Sequence, residues 1–409
     1  RAFNIFFFCV LLSFLDKPER YLLGIIIIIY INSRLKLMNT LNNRGLNNIL
    51  LYSGKYDTKS IQPFVVNNDF YYLTRIDIPN LLIFLYRGGT LIVNMNIVDN
   101  FHSQDENNEL LKKRFSKVEL VDVQELMNII GQRRVRSLSN ISILNLSLNI
   151  ETHSLEKKLH KMRLIKRPYE KKKIRRACQI TSEALIKTMK MIRPAMQIQS
   201  IVDYFRSELL KNGSREYSFL PIVSQNRNNS ILHYDRRKNY IKRDAFVLMD
   251  VGGQYDHYCS DITRTFPISG KFTGPQEEIY GIVLRTLKYA IRLVKPGLRW
   301  NVLTNKTKKF MYNECKKVNL FSESSNINIM NLLMPHSLGH SVGLDNHDVG
   351  DLVVLKENMV IALEPGVYFK NYMINNNDFN KETLRRCINM GGIRIEDTIL
   401  VTKNGSRVL

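Results

Sequence analysis

Five residues of ligand-forming type, far apart between Asp250 and Glu396, set the tightest limit on how this chain can fold. They are Asp250 in LMDVGG, Asp261 in CSDITRTF, His340 in PHSLGHSVGLDNHD, Glu364 in ALEPGVY and Glu396 in GGIRIEDT. Each stands at or beside an apolar, β-branched run, so each can sit on a strand that aims it inward. Four carboxylates and one imidazole form a hard, oxygen-rich donor set. Such a set suits a pair of divalent cations such as Mn²⁺ better than a thiolate zinc site does.

The local patterns are consistent with convergence. Ala245–Met249 is a continuous apolar run that ends at Asp250, Val251-Gly252-Gly253 turns the chain, and Tyr258 to Phe266 returns as a strand. A period of two puts Asp261 and Thr263 on one face, so the hairpin would bring Asp250 and Asp261 close together. Two aspartates that merely flank a turn give the same spacing, and the pair alone does not decide. Cys259 points to the same side as Asp261 and reads as a small buried thiol rather than a ligand.

His336 and His340 are four residues apart, a spacing that can clamp zinc on a helix. No Glu stands beside His336, Gly339 weakens a helix and Pro335 precedes the pair, so a turn into a strand is expected instead. With His347, three imidazoles fall together with Asp345 and Asp348. One would serve as a ligand and the others would line a pocket. Glu364 closes the run Met359–Leu363 and is followed by Pro365-Gly366. Arg394 falls on the same side as Glu396, where it can orient a ligand carboxylate. Two cations a few ångströms apart need bridging carboxylates and acidify a shared water, and the natural chemistry is amide or ester hydrolysis.

The 409 residues allow two domains. In the first, Phe64–Val66, Phe70–Leu73, Leu81–Tyr86 and Thr90–Val93 read as strands, and polar stretches near 102–117 and 124–131 read as helices. The alternation predicts a small α/β domain over 39–155. Residues 1–38, which begin at Arg1 rather than Met, read as an apolar leader or a gene-model extension, with Met38 as an alternative start. Neither of its two apolar runs reaches the roughly 18 residues of a membrane-spanning helix. The charge run over 155–177 reads as a solvated linker or helix face, and 156–178 is taken as a basic linker leading into a helix. Helices are expected over Ile180–Met191, Ile201–Leu210, Gln276–Leu293 and Trp300–Val318, and a polar loop over 321–331.

A net charge of +23 raises the question of anionic partners. The basic residues are spread along the chain without a nucleic-acid-binding signature, so neither nucleic acid nor stable membrane insertion is expected. Five cysteines with wide spacing and no CxxC fit a reducing compartment.

Taken together, DVGGQYDHYCSDITRTFP, HSLGHSVGLDNHD, LEPGVY and GGIRIEDT resemble the pita-bread metallopeptidases, which include methionine aminopeptidase, prolidase and aminopeptidase P. FYYLTRIDIPN (70–80), RLIKRPYEKKKI (163–174), ILHY (231–234) and FTGPQEEIYGIVL (272–284) are similar to aminopeptidase P, and most similar to its Xaa-Pro aminopeptidase 3 branch. The resemblance spans roughly 47–409. It implies an α/β (α+β) chain: a creatinase-like N-terminal domain, then a pita-bread catalytic domain over 179–409.

The resemblance also implies roles. Asp250 chelates one metal, Asp261 and Glu396 bridge both, and His340 and Glu364 complete the other. The metals are two divalent ions, usually manganese, and a bridging hydroxide attacks the carbonyl before a proline in second position. Glu364 handles protons, Arg394 stands beside the bridging glutamate, and His233, His336 and His347 hold the peptide. The implied substrates are peptide or protein N-termini with proline second. A prolidase or a non-catalytic pita-bread binding protein are the alternatives. A homodimer is an open option, and the location implied is mitochondrial, with cytoplasmic as the other choice. Two departures stand out: Arg75 replaces the glycine expected after YLT, and the loop LPIVSQNRNNSILHY lacks the expected glycines.

Overall fold

Short apolar runs punctuated by Asn, Asp and Gly build the first part of the chain. The computed structural model describes residues 48–55, 64–86, 89–94, 118–131, 133–144 and 148–409. It divides into two units, Arg1–Leu159 and His160–Leu409. The leader over 1–38 and the helix expected at 102–117 lie outside the described residues.

In the first unit, β1 (Ile49–Tyr52), β2 (Leu81–Tyr86), β3 (Gly89–Asn94), β4 (Val118–Leu120), β5 (Val135–Ser137) and β6 (Ile150–Glu151) form one sheet in the order β4-β3-β2-β1-β5-β6. β2 and β3 make an antiparallel hairpin, whereas β1 runs parallel to β5. Leu50, Tyr52, Leu82, Phe84 and Val93 pack against Leu126 and Ile130 of helix α2 (Val123–Ile130).

The strands expected at Phe64–Val66 and Phe70–Leu73 are not strands. Residues 64–67 are irregular, and helix α1 covers Asn68–Thr74. The Asn67 side chain accepts from the Phe70 N–H at 2.9 Å and caps the helix. Phe70, Tyr71, Tyr72 and Leu73 are all buried, so a helix apolar on every side replaces the alternation of a strand. Arg75 ends it at φ 59°, in the left-handed region. That conformation is why a glycine is expected there.

Helix α3 (His153–Arg163) and helix α4 (Pro168–Met191) absorb the basic run over 155–177. α4 begins earlier than the periodicity predicts because Pro168 occupies its first turn and the Glu170 carboxylate accepts from the Arg167 N–H at 2.9 Å. Helices α5 (Ile198–Lys211), α6 (Gly274–Leu293) and α7 (Trp300–Lys317) follow the sequence reading closely. The loop expected over 321–331 ends at a 3₁₀ turn, Ile327–Ile329, and its last two residues already belong to the short helix α8 (Met330–Leu333).

Curved strand pairs carry the rest. β7 (Ile222–Gln225), β8 (Phe246–Val251) and β11 (Ile262–Pro267) form one sheet, with a small hairpin, β9 (Gln254–Tyr255) and β10 (Tyr258–Cys259), between β8 and β11. β12 (Val360–Leu363) pairs with β15 (Asp397–Val401), which pairs with β16 (Ser406–Val408). β13 (Gly366–Tyr368) pairs with β14 (Gly392–Arg394). A bridge between Thr263 and Glu396 joins the β11 edge to this second set. The apolar faces pack on α6 and α7 through Ile282, Leu287, Leu303, Ile361 and Ile399. Helix α9 (Lys381–Ile388) fills part of the stretch before β14.

Candidate metal centre

Strand register places the acids. β8 and β11 pair Asp250 with Thr263, and Thr263 Oγ1 donates to Glu396 Oε2 at 2.7 Å. Asp261 is not within the returning strand. It lies in the break between β10 and β11, where Thr398 Oγ1 donates to its carbonyl at 2.8 Å. Glu396 likewise sits between β14 and β15 rather than along one strand. The two breaks turn both carboxylates toward the same interior point.

The His336–His340 segment is not a helix, as the sequence predicts, but it bends at His336 and Leu338 where a strand was expected. It runs along the edge of β12, with Ala362 N–H donating to His340 O at 2.8 Å and Glu364 N–H to Leu338 O at 2.9 Å. A Cβ at Gly339 would lie 1.9 Å from Ala362 O, so only glycine permits this approach. His340 Nδ1 donates to Ser341 O at 3.0 Å. Its Nε2 faces Asp261 Oδ2 at 3.3 Å, Glu396 Oε1 at 3.9 Å and Glu364 Oε1 at 4.0 Å. One ligand atom from each of Asp261, His340 and Glu396 lies within 4.8 Å of the others.

Lone pairs do not attract one another. Asp250 Oδ1, Asp261 Oδ1 and Glu396 Oε1 are buried with no hydrogen-bond partner. A buried carboxylate oxygen left this way is costly unless a cation takes the lone pair. The donor set therefore fits divalent metal.

The protonation pattern agrees. Burial, then the Asp250 charge, holds the Asp261 carboxyl well above the usual range. Burial, then Asp261 and Asp250, does the same for Glu396. Burial pushes Glu364 up to about 7. A cation must displace these protons to bind. Apparent affinity for a divalent cation should accordingly rise with pH, about tenfold per unit for each proton displaced, with the Glu364 contribution levelling off above about 7. Calorimetric titration between pH 6 and 8 checks this, and a flat profile would contradict it.

A second network anchors Asp250. Arg394 Nη2 donates to Asp250 Oδ2 at 2.6 Å, and its Nη1 donates to Tyr368 Oη at 2.9 Å. Tyr368 Oη lies 2.9 Å from His336 Nε2, and His336 Nδ1 lies 2.7 Å from Ser337 O. Since a carbonyl only accepts, His336 carries its proton on Nδ1 and takes one hydrogen bond from Tyr368. Burial lowers His336 to about 4, so it is neutral at physiological pH. Arg394 thus pairs with Asp250 rather than forming a bidentate pair with Glu396.

The pocket residues sit at the edge. His347 is exposed, with its ring 3.9 Å from that of His340. His233 is also exposed, and its charge helps depress His347 after burial and His340. Asn226 takes φ 52° in the loop before His233, where the resemblance leads one to expect glycine. Cys259 is buried and its thiol donates to Leu344 O at 3.4 Å, as a structural cysteine does.

Tyr368 and Asn346 were not singled out by sequence reasoning. Asn346 Nδ2 donates to Asp261 Oδ2 at 2.9 Å. Tyr368 could have been found from its place two residues after Gly366, which pairs with Arg394.

Antiparallel strand pairs that gather carboxylates and a histidine into one cluster able to hold a metal ion are the arrangement of a pita-bread metallopeptidase fold. The family model of "Metallopeptidase family M24" matches residues 172–403, and the chain belongs to that family. The Xaa-Pro aminopeptidase of Escherichia coli K12 is 35% identical over 260 residues, 61% of this chain and 57% of that protein. An uncharacterized peptidase of Saccharomyces cerevisiae is 35% identical over 274 residues, 59% of this chain and 51% of its own length. The chain thus spans between half and three fifths of these curated relatives. The structure of E. coli aminopeptidase P with the inhibitor Pro-Leu superposes with a TM-score of 0.74 at 26% identity, covering 88% of this chain and 90% of that one. Among the described residues no helix is long and apolar enough to cross a membrane.

Proposed function

We propose that the chain is a metallo-aminopeptidase that removes the first residue of peptides with proline second. Two divalent cations, manganese by preference, would be held by Asp250, Asp261, His340, Glu364 and Glu396. One observation carries the reading: ligand atoms of Asp261, His340 and Glu396 lie within 4.8 Å of one another, and Asp250, Asp261 and Glu396 each keep a buried oxygen without a hydrogen-bond partner. The substrate class follows the E. coli relatives named for aminopeptidase P and Xaa-Pro aminopeptidase.

Bound cations supply a water acidic enough to act as nucleophile at neutral pH. Asp261 and Glu396 are the most buried of the acids and would hold the cations in the interior of the site. Glu364 is the most solvent-accessible, at 20% of its side chain, and is best placed to pass a proton between water and the leaving amine. Neutral His336, its Nδ1–H given to Ser337 O and its Nε2 accepting from Tyr368, would line the pocket as a fixed, uncharged wall against which the peptide is held. His233 and His347 stand exposed at the same side and would hold the peptide. Arg394 holds and aims Asp250 through the 2.6 Å contact.

The test is a peptide series on metal-stripped protein. Manganese should restore cleavage of tripeptides and longer peptides with proline second. Cleavage of the Xaa-Pro dipeptide alone would make it a prolidase. No metal-dependent cleavage of any member would leave a non-catalytic binding protein.

A further inference from the structure

We propose that Asn346 is a positioning residue of the metal centre: its side-chain amide fixes the plane of the Asp261 carboxylate, setting Oδ2 beside His340 and leaving Oδ1 without a hydrogen bond. The inference rests on the metal-site reading above and names a residue that acts through Asp261, not one that touches substrate.

The geometry begins with a loop that cannot drift. Gly343–Asp348 is tied at both ends to the elements that carry the ligands. Cys259 N–H donates to Gly343 O at 2.7 Å, and the Cys259 thiol donates to Leu344 O. Asp348 N–H donates to Ser341 O at 2.9 Å, one residue from His340, and Ser341 Oγ donates back to Asp348 O. The Asp348 carboxylate is buried between Arg163 Nη2 at 2.5 Å and Lys166 Nζ at 2.8 Å. Arg163 Nη2 also reaches Asp345 Oδ2 at 2.6 Å. A Cβ at Gly343 would fall 2.1 Å from Asp348 Oδ2, so the chain there is shaped around this ion cluster. Burial alone would raise Asp348, but Lys166 and Arg163 override it and keep the carboxyl below its usual range.

Asn346 projects from this fixed loop toward Asp261, two residues beyond the Cys259 anchor. Its Nδ2 lies 2.9 Å from Asp261 Oδ2, and its own Oδ1 is buried with no partner. With Asp261 ionised, as cation binding requires, the reversed amide would set two acceptors against each other at that distance, so the donor orientation is the one that serves the metal-binding state. Forgoing a bond at Oδ1 to keep the one at Nδ2 is what a positioning role requires. The result is an Asp261 with one oxygen held and the other, Oδ1, buried and partnerless. A neutral amide does this without adding positive charge that would oppose cations. Asp250, by contrast, is held by the full charge of Arg394.

The experiment is Asn346→Leu, which removes the donor at similar size. Mn²⁺ affinity of the metal-stripped protein is measured by calorimetry, with thermal unfolding of both forms and peptide kinetics at saturating Mn²⁺. The expected result is a metal Kd raised on the order of tenfold to a hundredfold, with unfolding of the metal-free protein and peptide KM close to wild type. A metal Kd within about twofold of wild type would overturn the proposal. So would a metal-free protein destabilised enough to account for the whole loss of affinity, since that marks a purely structural side chain. Wild-type protein that bound no Mn²⁺ would sink the metal-site reading, and this proposal with it.

Discussion

Replacing Glu396 with Gln should abolish turnover, by on the order of a thousandfold or more, while making the metal-free protein more stable near pH 8. The two effects have one cause. Glu396 is 1% exposed, and burial followed by the Asp261 and Asp250 charges holds its carboxyl well above the ordinary 4.5. A group with a raised folded-state pKa contributes stability below its unfolded value. That contribution is lost as pH climbs through the folded value. At pH 8 the unfolded chain is ionised at this position, so the metal-free fold must either take up a proton or bury the charge, and both cost stability. Glutamine keeps the shape and can still accept from Thr263 Oγ1, now without the charge. Thermal unfolding in chelator should show the variant above wild type at pH 8, with the gap closing toward pH 4.5. Mn²⁺ should stabilise wild type and do little for the variant. Asp261→Asn should behave alike. Near wild-type turnover in either variant would contradict the assigned bridge.

Gly339→Ala should be as damaging for a steric reason. The added carbon would lie 1.9 Å from the Ala362 carbonyl oxygen, inside a strand edge that is hydrogen-bonded on both sides of it. Relief requires the His336–His340 segment to leave β12, which misplaces His340 and His336 together. A loss of about 3 kcal/mol or more is expected, measured by denaturant unfolding, along with loss of high-affinity metal binding. A variant within about 1 kcal/mol of wild type would show that the segment is free to shift.

Much of the metal site was legible because its ligands close apolar strands. A run such as Phe246–Met249 or Val360–Leu363 announces both a buried strand and the acid at its end. The non-helical course of the histidine segment was legible from Pro335 and Gly339. What was not legible is the set of interruptions. Asp261 and Glu396 work from breaks between strands, and a period of two has no term for a break. The polar wiring was hidden for a related reason. Tyr368, Asn346 and the Arg163–Lys166–Asp348 cluster depend on contacts between positions from 26 to 185 residues apart. In the first unit, Phe70–Leu73 read as a strand because its aromatics favour strands, whereas Asn67 capping and burial on all sides made it a helix.

The most direct test of the metal centre is a Mn²⁺ titration of metal-stripped protein with hydrolysis of a proline-second tripeptide followed in the same cell. Binding of two cations per chain, with cleavage rising from nothing as the site fills, is the predicted result. Cleavage that persists undiminished in excess chelator, or full Mn²⁺ binding by a protein in which Asp261 and Glu396 have both lost their charge, would contradict it.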